Sequence, residues 1–151
     1  MSEPAVTLRR YRTADEEAAI ELWRRTWQTA YPDIDFAERV KWWRQRWRRE
    51  LVAQATIVVA ESAGVLAGYV TVDPRNGYLD QIVVAPEFWG GALAAALLDE
   101  AKRISPTRLD LLVNKDNARA IHFYEKHDFV LAGDDVNPVS GKPVNRMCWQ
   151  P

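Results

Sequence analysis

Asn114, Asn117 and Tyr124 are the residues whose types and spacing most plainly suit chemistry. The two carboxamides follow the apolar run Leu109–Val113. Tyr124 comes about two helical turns after Asn117, so both can look toward one side of a helix. A phenol and two carboxamides supply polar groups able to hydrogen-bond in such a place. An N-cap followed by an aromatic core face would account for either feature taken separately. A second stretch, Val84-Ala85-Pro86-Glu87-Phe88-Trp89-Gly90-Gly91-Ala92-Leu93-Ala94, reads as a strand, a tight glycine turn and the start of a helix. A helix N-terminus exposes about four unpaired amides and roughly half a positive charge, which suits an anion and above all a pyrophosphate. Two glycines could equally do no more than start a helix.

Asp80 shares one face of a short strand with Tyr78. A carboxylate there can take a proton from a reacting group, or be a solvated side chain or salt-bridge partner. Glu61 and Glu87 fall at strand ends and suit that work less well. His122 and His127 lie in the last helix, where His127 at the C-terminal turn is a favourable partner for the helix dipole. The lone Cys148 reads as a core or edge-strand residue. It cannot form an internal disulfide, and no Cys/His cluster has zinc-ligand spacing, so a metal-free protein is expected.

The elements that must position these groups follow from periodicity. Val6–Tyr11 alternates as a strand, and Thr13-Ala14-Asp15-Glu16 has the form of a capping box. Ala19, Leu22, Trp23, Trp27 and Ala30 then recur at helical spacing until Tyr31-Pro32. A second helix is predicted over Phe36–Leu51, with Phe36, Val40, Trp43, Trp47 and Leu51 as its apolar stripe. Arg39, Lys41, Arg44, Arg46, Arg48 and Arg49 fall on its other, solvated faces. Strands are predicted at Ala55–Glu61, Val65–Val72 and Tyr78–Val84, then a helix opened by Gly90-Gly91 and closed by Ser105-Pro106. Leu109–Val113 is a buried strand, Asn117–Lys126 a helix, and Phe129–Ala132 and Arg146–Trp149 are strands around a polar loop, Asp134–Pro143. The order is β-α-α-β-β-β-α-β-α-β-β, a mixed α/β sheet in one domain spanning residues 1–151.

Composition excludes some classes of function. A formal charge of −1 gives no global reason for a nucleic-acid or membrane partner. Met1-Ser2-Glu3-Pro4 is not followed by the apolar run of a signal peptide, so a cytoplasmic protein is expected. Seven tryptophans, five of them between Trp23 and Trp47, need an explanation. Core packing explains their helical spacing. The run Trp42-Trp43-Arg44-Gln45-Arg46-Trp47-Arg48-Arg49 could instead pair phosphates and stack bases, but an amphipathic helix accounts for the same alternation.

Taken together, the two chemistry-bearing stretches resemble the GNAT superfamily of acyl-CoA-dependent N-acetyltransferases. Val84-Ala85-Pro86 and Trp89–Ala94 match its V-x-P turn and Q/R-x-x-G-x-G/A loop. Val113, Asn114, Asn117, Ala120, Phe123, Tyr124 and Phe129 match its V-N-x-x-N-x-x-A-x-x-F-Y-x-x-x-G-F motif. Trp89 stands where Gln or Arg is usual, Ala92 where the central Gly is, and Asp128 where Gly precedes the last Phe.

The resemblance implies the GNAT fold, with strands splayed around an acyl-CoA site, and acetyl-CoA as cosubstrate. It implies backbone contacts to the pantetheine arm from Ile82, Val83 and Val84. Pyrophosphate contacts are implied from Trp89, Gly90, Gly91, Ala92, Leu93 and Ala94, and a cofactor hydrogen bond from Asn117. Tyr124 would touch the cofactor and act as general acid for the thiolate, with Asp80 as candidate base. Trp27 and Tyr31 would border a small-molecule or peptide amine acceptor. A homodimer is compatible with the resemblance. The alternative is a degenerate acyl-CoA-binding sensor or structural module without turnover.

Overall fold

The computed structural model describes residues 5–138 and 140–151. Met1–Pro4, read above for a leader, and Val139 of the polar loop lie outside the described residues. The strands are β1 (Thr7–Arg10), β2 (Thr56–Ser62), β3 (Val65–Asp73), β4 (Tyr78–Val84), β5 (Leu109–Asn114), β6 (Val130–Val136) and β7 (Pro143–Trp149). The helices are α1 (Glu16–Ala30), α2 (Phe36–Arg46), the single turn α3 (Val52–Gln54), α4 (Leu93–Ile104) and α5 (Ala118–Lys126). The strands form one sheet in the order β1-β2-β3-β4-β5-β7-β6. Every neighbouring pair is antiparallel except β4–β5, which is parallel.

Period-2 alternation sends successive side chains of β2 and β3 to opposite faces, and each face carries its own core. Val58, Ala60, Val70 and Val72 pack with Leu93, Leu97, Leu98 and Ala101 of α4 and with Tyr124 and Phe129. Ile57, Val59, Tyr69 and Val83 pack on the other face with Ala19, Ile20, Leu22 and Trp23 of α1 and Trp43 of α2. The tryptophan cluster is largely this second core. Trp23 stacks on Trp43 with ring centroids 4.7 Å apart, and Trp47 meets Tyr69 edge-on at 5.2 Å.

Several boundaries differ from the sequence reading. Thr13 does not cap α1: residues Thr13–Asp15 form a 3-10 turn, and the Asp15 carboxylate accepts from the Arg12 amide at 2.8 Å. Glu16 is drawn instead to Arg48, 2.6 Å away. The long second helix is broken, because α2 passes into a five-residue π turn, Trp47–Leu51. That widening keeps both Trp47 and Leu51 buried. Gly90 and Gly91 do not open α4, which begins at Leu93; Gly90 has φ +81°, a left-handed value no helix accepts. The polar segment after Ala132 continues β6 to Val136. Paired with β7 on one side only, β6 is a sheet edge where Asp134 and Asp135 can stay exposed.

Candidate active site

The site begins where β4 and β5 part. Their one registered pair is Tyr78 with Asp110, tied by the Asp110 amide donating to the Gly77 carbonyl at 2.9 Å. Gly77 (φ +76°) is required at this junction, since a Cβ there would sit 2.3 Å from the Arg108 carbonyl oxygen. Beyond it the strands splay. The Ala85 amide donates to Ala67 at 2.8 Å, so by antiparallel alternation Val83 also faces β3, whereas Ile82 and Val84 turn their backbone groups to the gap. Val83 is thus a sheet-bonding residue, contrary to its expected role in backbone contacts to a ligand. The β3–β4 register slips where Gln81 opposes Thr71 and Leu79 opposes Val72, which makes Asp80 the extra residue of a β-bulge.

The gap opens into a cavity of about 420 Å³. Its walls are Tyr78–Ile82 of β4, Leu111–Asn114 of β5, Asn117 and Tyr124 around α5, and aromatic residues of α1 and α2. The fold therefore brings Asp80, Asn117, Tyr124, Trp27 and Tyr31, separated by up to almost the whole helix-to-helix span of the sequence, to one cavity.

Tyr124 is 7 % exposed, and its hydroxyl has no hydrogen-bond partner among the described residues. Burial raises its pKa well above that of a free phenol. Its position is fixed by Phe129 and Phe123, each 5.4 Å away between ring centroids. Asp128, which replaces the family's glycine, has φ +72°, the left-handed turn that ends α5 and returns the chain to Phe129. Asn117 caps α5: its Oδ1 accepts from the Ala120 amide at 3.2 Å, leaving the Nδ2 group for a ligand.

Asp80 is tied to Arg46. Arg46 Nη1 donates to Asp80 Oδ1 at 2.9 Å, its Nη2 donates to Oδ2, and Gln81 Nε2 reaches Oδ1 at 3.0 Å. A carboxylate has about four acceptor positions, so about one remains, on Oδ2. Arg46 is therefore not on a solvated face. Its side chain is 25 % exposed, pairs with Glu50 at 2.9 Å and lies 5.4 Å over the Trp43 ring. The spacing held a signal for this, since Arg46 follows Trp43 by one helical turn. Arg44 and Arg48, by contrast, pair with Glu16 of α1 at 3.6 and 2.6 Å, which removes them from the phosphate-binding stripe the sequence allowed.

On the acceptor side, Trp27 stacks on Tyr31 with centroids 5.6 Å apart. The Tyr31 hydroxyl accepts from Asn114 Nδ2 at 3.1 Å and donates to Asp116 at 3.2 Å, bridging the end of α1 to the end of β5. This bridge, Arg39 and Trp42 were not foreseen as site residues. His122 is exposed, and His127 packs on Phe123 rather than into the cavity. Burial raises the Cys148 pKa, which opposes a thiolate role.

The turn before α4 meets the requirements of a pyrophosphate cradle in part. No side chain caps α4, so the amides of Leu93 and Ala94 lack intrahelical partners. A Cβ at Gly90 would meet nothing within 4 Å, so that backbone is open to an approaching group. The amides of Trp89 and Gly91 are engaged by Pro86 (3.1 Å) and Phe88 (3.3 Å), and Ala92 is not free either, which narrows the expected donor set to Gly90, Leu93 and Ala94. Trp89 Nε1 donates to the Val84 carbonyl at 2.7 Å, and Arg119 lies 4.6 Å over its ring. The indole pins this loop to the end of β4. It also takes one acceptor that a pantetheine amide would otherwise use, leaving the backbone of Ile82 and the Val84 amide. With those groups, the uncapped helix and the open Gly90, the residues present fit a CoA thioester.

Comparison with known proteins bears on the fold and the family. The PaiA N-acetyltransferase of Thermoplasma acidophilum, solved in complex with coenzyme A, superposes with a TM-score of 0.77 at 20 % identity over 97 % of this chain and 99 % of that one. The ribosomal-protein-S18-alanine N-acetyltransferase of Escherichia coli gives 0.72 at 22 % identity over 97 % and 94 %. A mycothiol acetyltransferase of Propionibacterium freudenreichii subsp. shermanii is 29 % identical over 101 residues, 60 % of this chain but 32 % of that protein, so the chain spans about a third of its length. The model of the acetyltransferase (GNAT) family matches residues 16–129, from the first turn of α1 to the residue after the left-handed Asp128, and the chain belongs to that family.

Proposed function

We propose that residues 1–151 form a single cytoplasmic N-acetyltransferase domain that moves an acetyl group from acetyl-CoA to a primary amine. The observation that carries this reading is Tyr124, whose hydroxyl has no partner among the described residues and which lines the cavity where β4 leaves β5. Acetyl-CoA would supply the activated thioester carbonyl. The Val84 amide, turned to the gap, would donate to that carbonyl oxygen, and Ile82 and Asn117 would hold the pantetheine arm. The amides of Gly90, Leu93 and Ala94 would bind the pyrophosphate. Tyr124 would give its proton to the departing thiolate. A thiol pKa near ~8.5 makes that thiolate a fair leaving group, and a phenol raised by burial yields its proton reluctantly, so the acid should contribute about 10²-fold. Asp80 would accept the amine hydrogen on the free position of Oδ2. Trp27 and Tyr31 would border the amine.

The Trp89 indole bonded to the Val84 carbonyl favours a second reading, a domain that binds acyl-CoA weakly and senses it without turnover. Thiol release from acetyl-CoA across a panel of primary amines separates the two. Amine-dependent release is expected of the transferase, whereas saturable binding with no release under any amine would establish the sensor.

A further inference from the structure

We infer that the amine acceptor is an aromatic amino acid: a small molecule bearing a carboxylate and a flat apolar body beside its amine. The inference rests on the acetyl-transfer reading and concerns the part of the same cavity formed by α1 and α2. The groups there with hydrogen-bonding capacity to spare are donors. Arg39 lines the cavity, lies 5.3 Å over the Phe36 ring and has no carboxylate partner among the described residues. Lys142, also lining the cavity, pairs loosely with Asp116 at 3.8 Å and lies 5.0 Å over the Tyr31 ring. Trp43 is 1 % exposed and lines the cavity, and its buried indole N–H has no partner among the described residues.

The anionic acceptor is nearly used up. Asp80 is the one carboxylate lining the cavity among the described residues, and Arg46 and Gln81 already bond it. A polyamine would bring several cations to a chamber with one engaged anion and three cationic side chains, Arg39, Arg46 and Lys142. An amino acid reverses that mismatch. Its carboxylate matches Arg39, and its amine reaches the remaining Oδ2 position of Asp80. Its ring lies against Trp27 and Trp42, the latter 40 % exposed at the cavity wall.

Intrinsic tryptophan fluorescence reads binding without needing turnover, because the walls themselves are tryptophan. The full chain, saturated with coenzyme A, is titrated with L-phenylalanine, L-phenylalaninamide, phenethylamine and spermidine, and acetylation of each is followed separately with acetyl-CoA. L-phenylalanine should bind at least about 10-fold more tightly than phenethylamine, about 1.4 kcal/mol. Arg39→Gln should bring that ratio close to one, and Arg39→Lys should retain most of it. Equal binding of acid and amine, tighter binding of spermidine, or no response to any of the four overturns the inference. Preferential binding of L-phenylalanine without product would leave an amino-acid binding site but overturn its role as acceptor together with acetyl transfer. Acetylation of the amines with no preference for the acid would overturn the inference and sustain acetyl transfer.

Discussion

Replacing Arg46 by Gln removes both charge-assisted hydrogen bonds to Asp80, together with the Glu50 contact and the stacking on Trp43. Unit charges about 4 Å apart attract by roughly 4 kcal/mol at an effective dielectric of about 20, before desolvation is subtracted. Breaking an exposed pair costs about 0–1 kcal/mol and a fully buried one about 3–5. With side chains 25 % and 11 % exposed, the Arg46–Asp80 pair lies between these limits, and Gln81 still donates to the stranded carboxylate. The expected loss is therefore about 2 kcal/mol, or about 4–8 °C in Tm for a chain of this size. Thermal unfolding followed by tryptophan fluorescence measures it, with Arg49→Gln, on an exposed face, changing Tm little. In a double-mutant cycle with Asp80→Asn, the double variant should lose clearly less than the sum of the singles. A Tm for Arg46→Gln within experimental scatter of the parent, or strict additivity with Asp80→Asn, would refute the coupling.

Tyr124→Phe should lower turnover about 10- to 100-fold with little change in acetyl-CoA affinity, because the hydroxyl acts on charge that develops only during reaction; unchanged turnover across the pH range removes Tyr124 as the acid. Asp80→Asn should move the rising limb of the pH–rate profile to higher pH and recover activity where free amine is abundant, and an unmoved profile assigns proton removal to water. Ala92 already has helical angles (φ −88°, ψ −6°) at the N-cap of α4, where Gly is no worse than Ala. Ala92→Gly should therefore tighten acetyl-CoA binding, with stability within about 0.5 kcal/mol of the parent; weaker binding in isothermal titration would show that the methyl holds the loop in shape. Hydrogen bonds from Arg9 keep the Asp15 pKa below its ordinary value. That stabilisation is complete above the unfolded pKa near ~3.9 and is lost as pH falls through the lower folded value. Asp15→Asn should accordingly flatten the fall of stability below about pH 4, and an equally steep fall would deny the linkage.

The element order and the pairing of Asn117 with Tyr124 were readable because they are local. Apolar spacing defines α5, and an N-cap two turns before a tyrosine sets their common side without any long-range contact. The same holds for the strand Tyr78–Val84 and its turn at Gly77. What was not readable depends on partners distant in sequence. Arg46 looks like any solvated arginine until β4 places the Asp80 bulge beside it, and the bulge is visible only in the slipped register with β3. Helical periodicity explained Trp43 as core, but not that its buried N–H would be left without a partner among the described residues. The left-handed Asp128 and the late start of α4 were hidden for another reason, since backbone angles at helix ends are weakly encoded in residue type.

Acetyl-CoA carrying an isotopic label in its acetyl group, incubated with the chain and an amine panel and read by mass spectrometry alongside thiol titration, tests the central claim most directly. Acetyl transfer predicts that the label appears in an amide of the acceptor, in equal molar amount to the thiol released, and that Tyr124→Phe slows both together. Label recovered only as bound acetyl-CoA, or as free acetate formed at the same rate without amine, would contradict it.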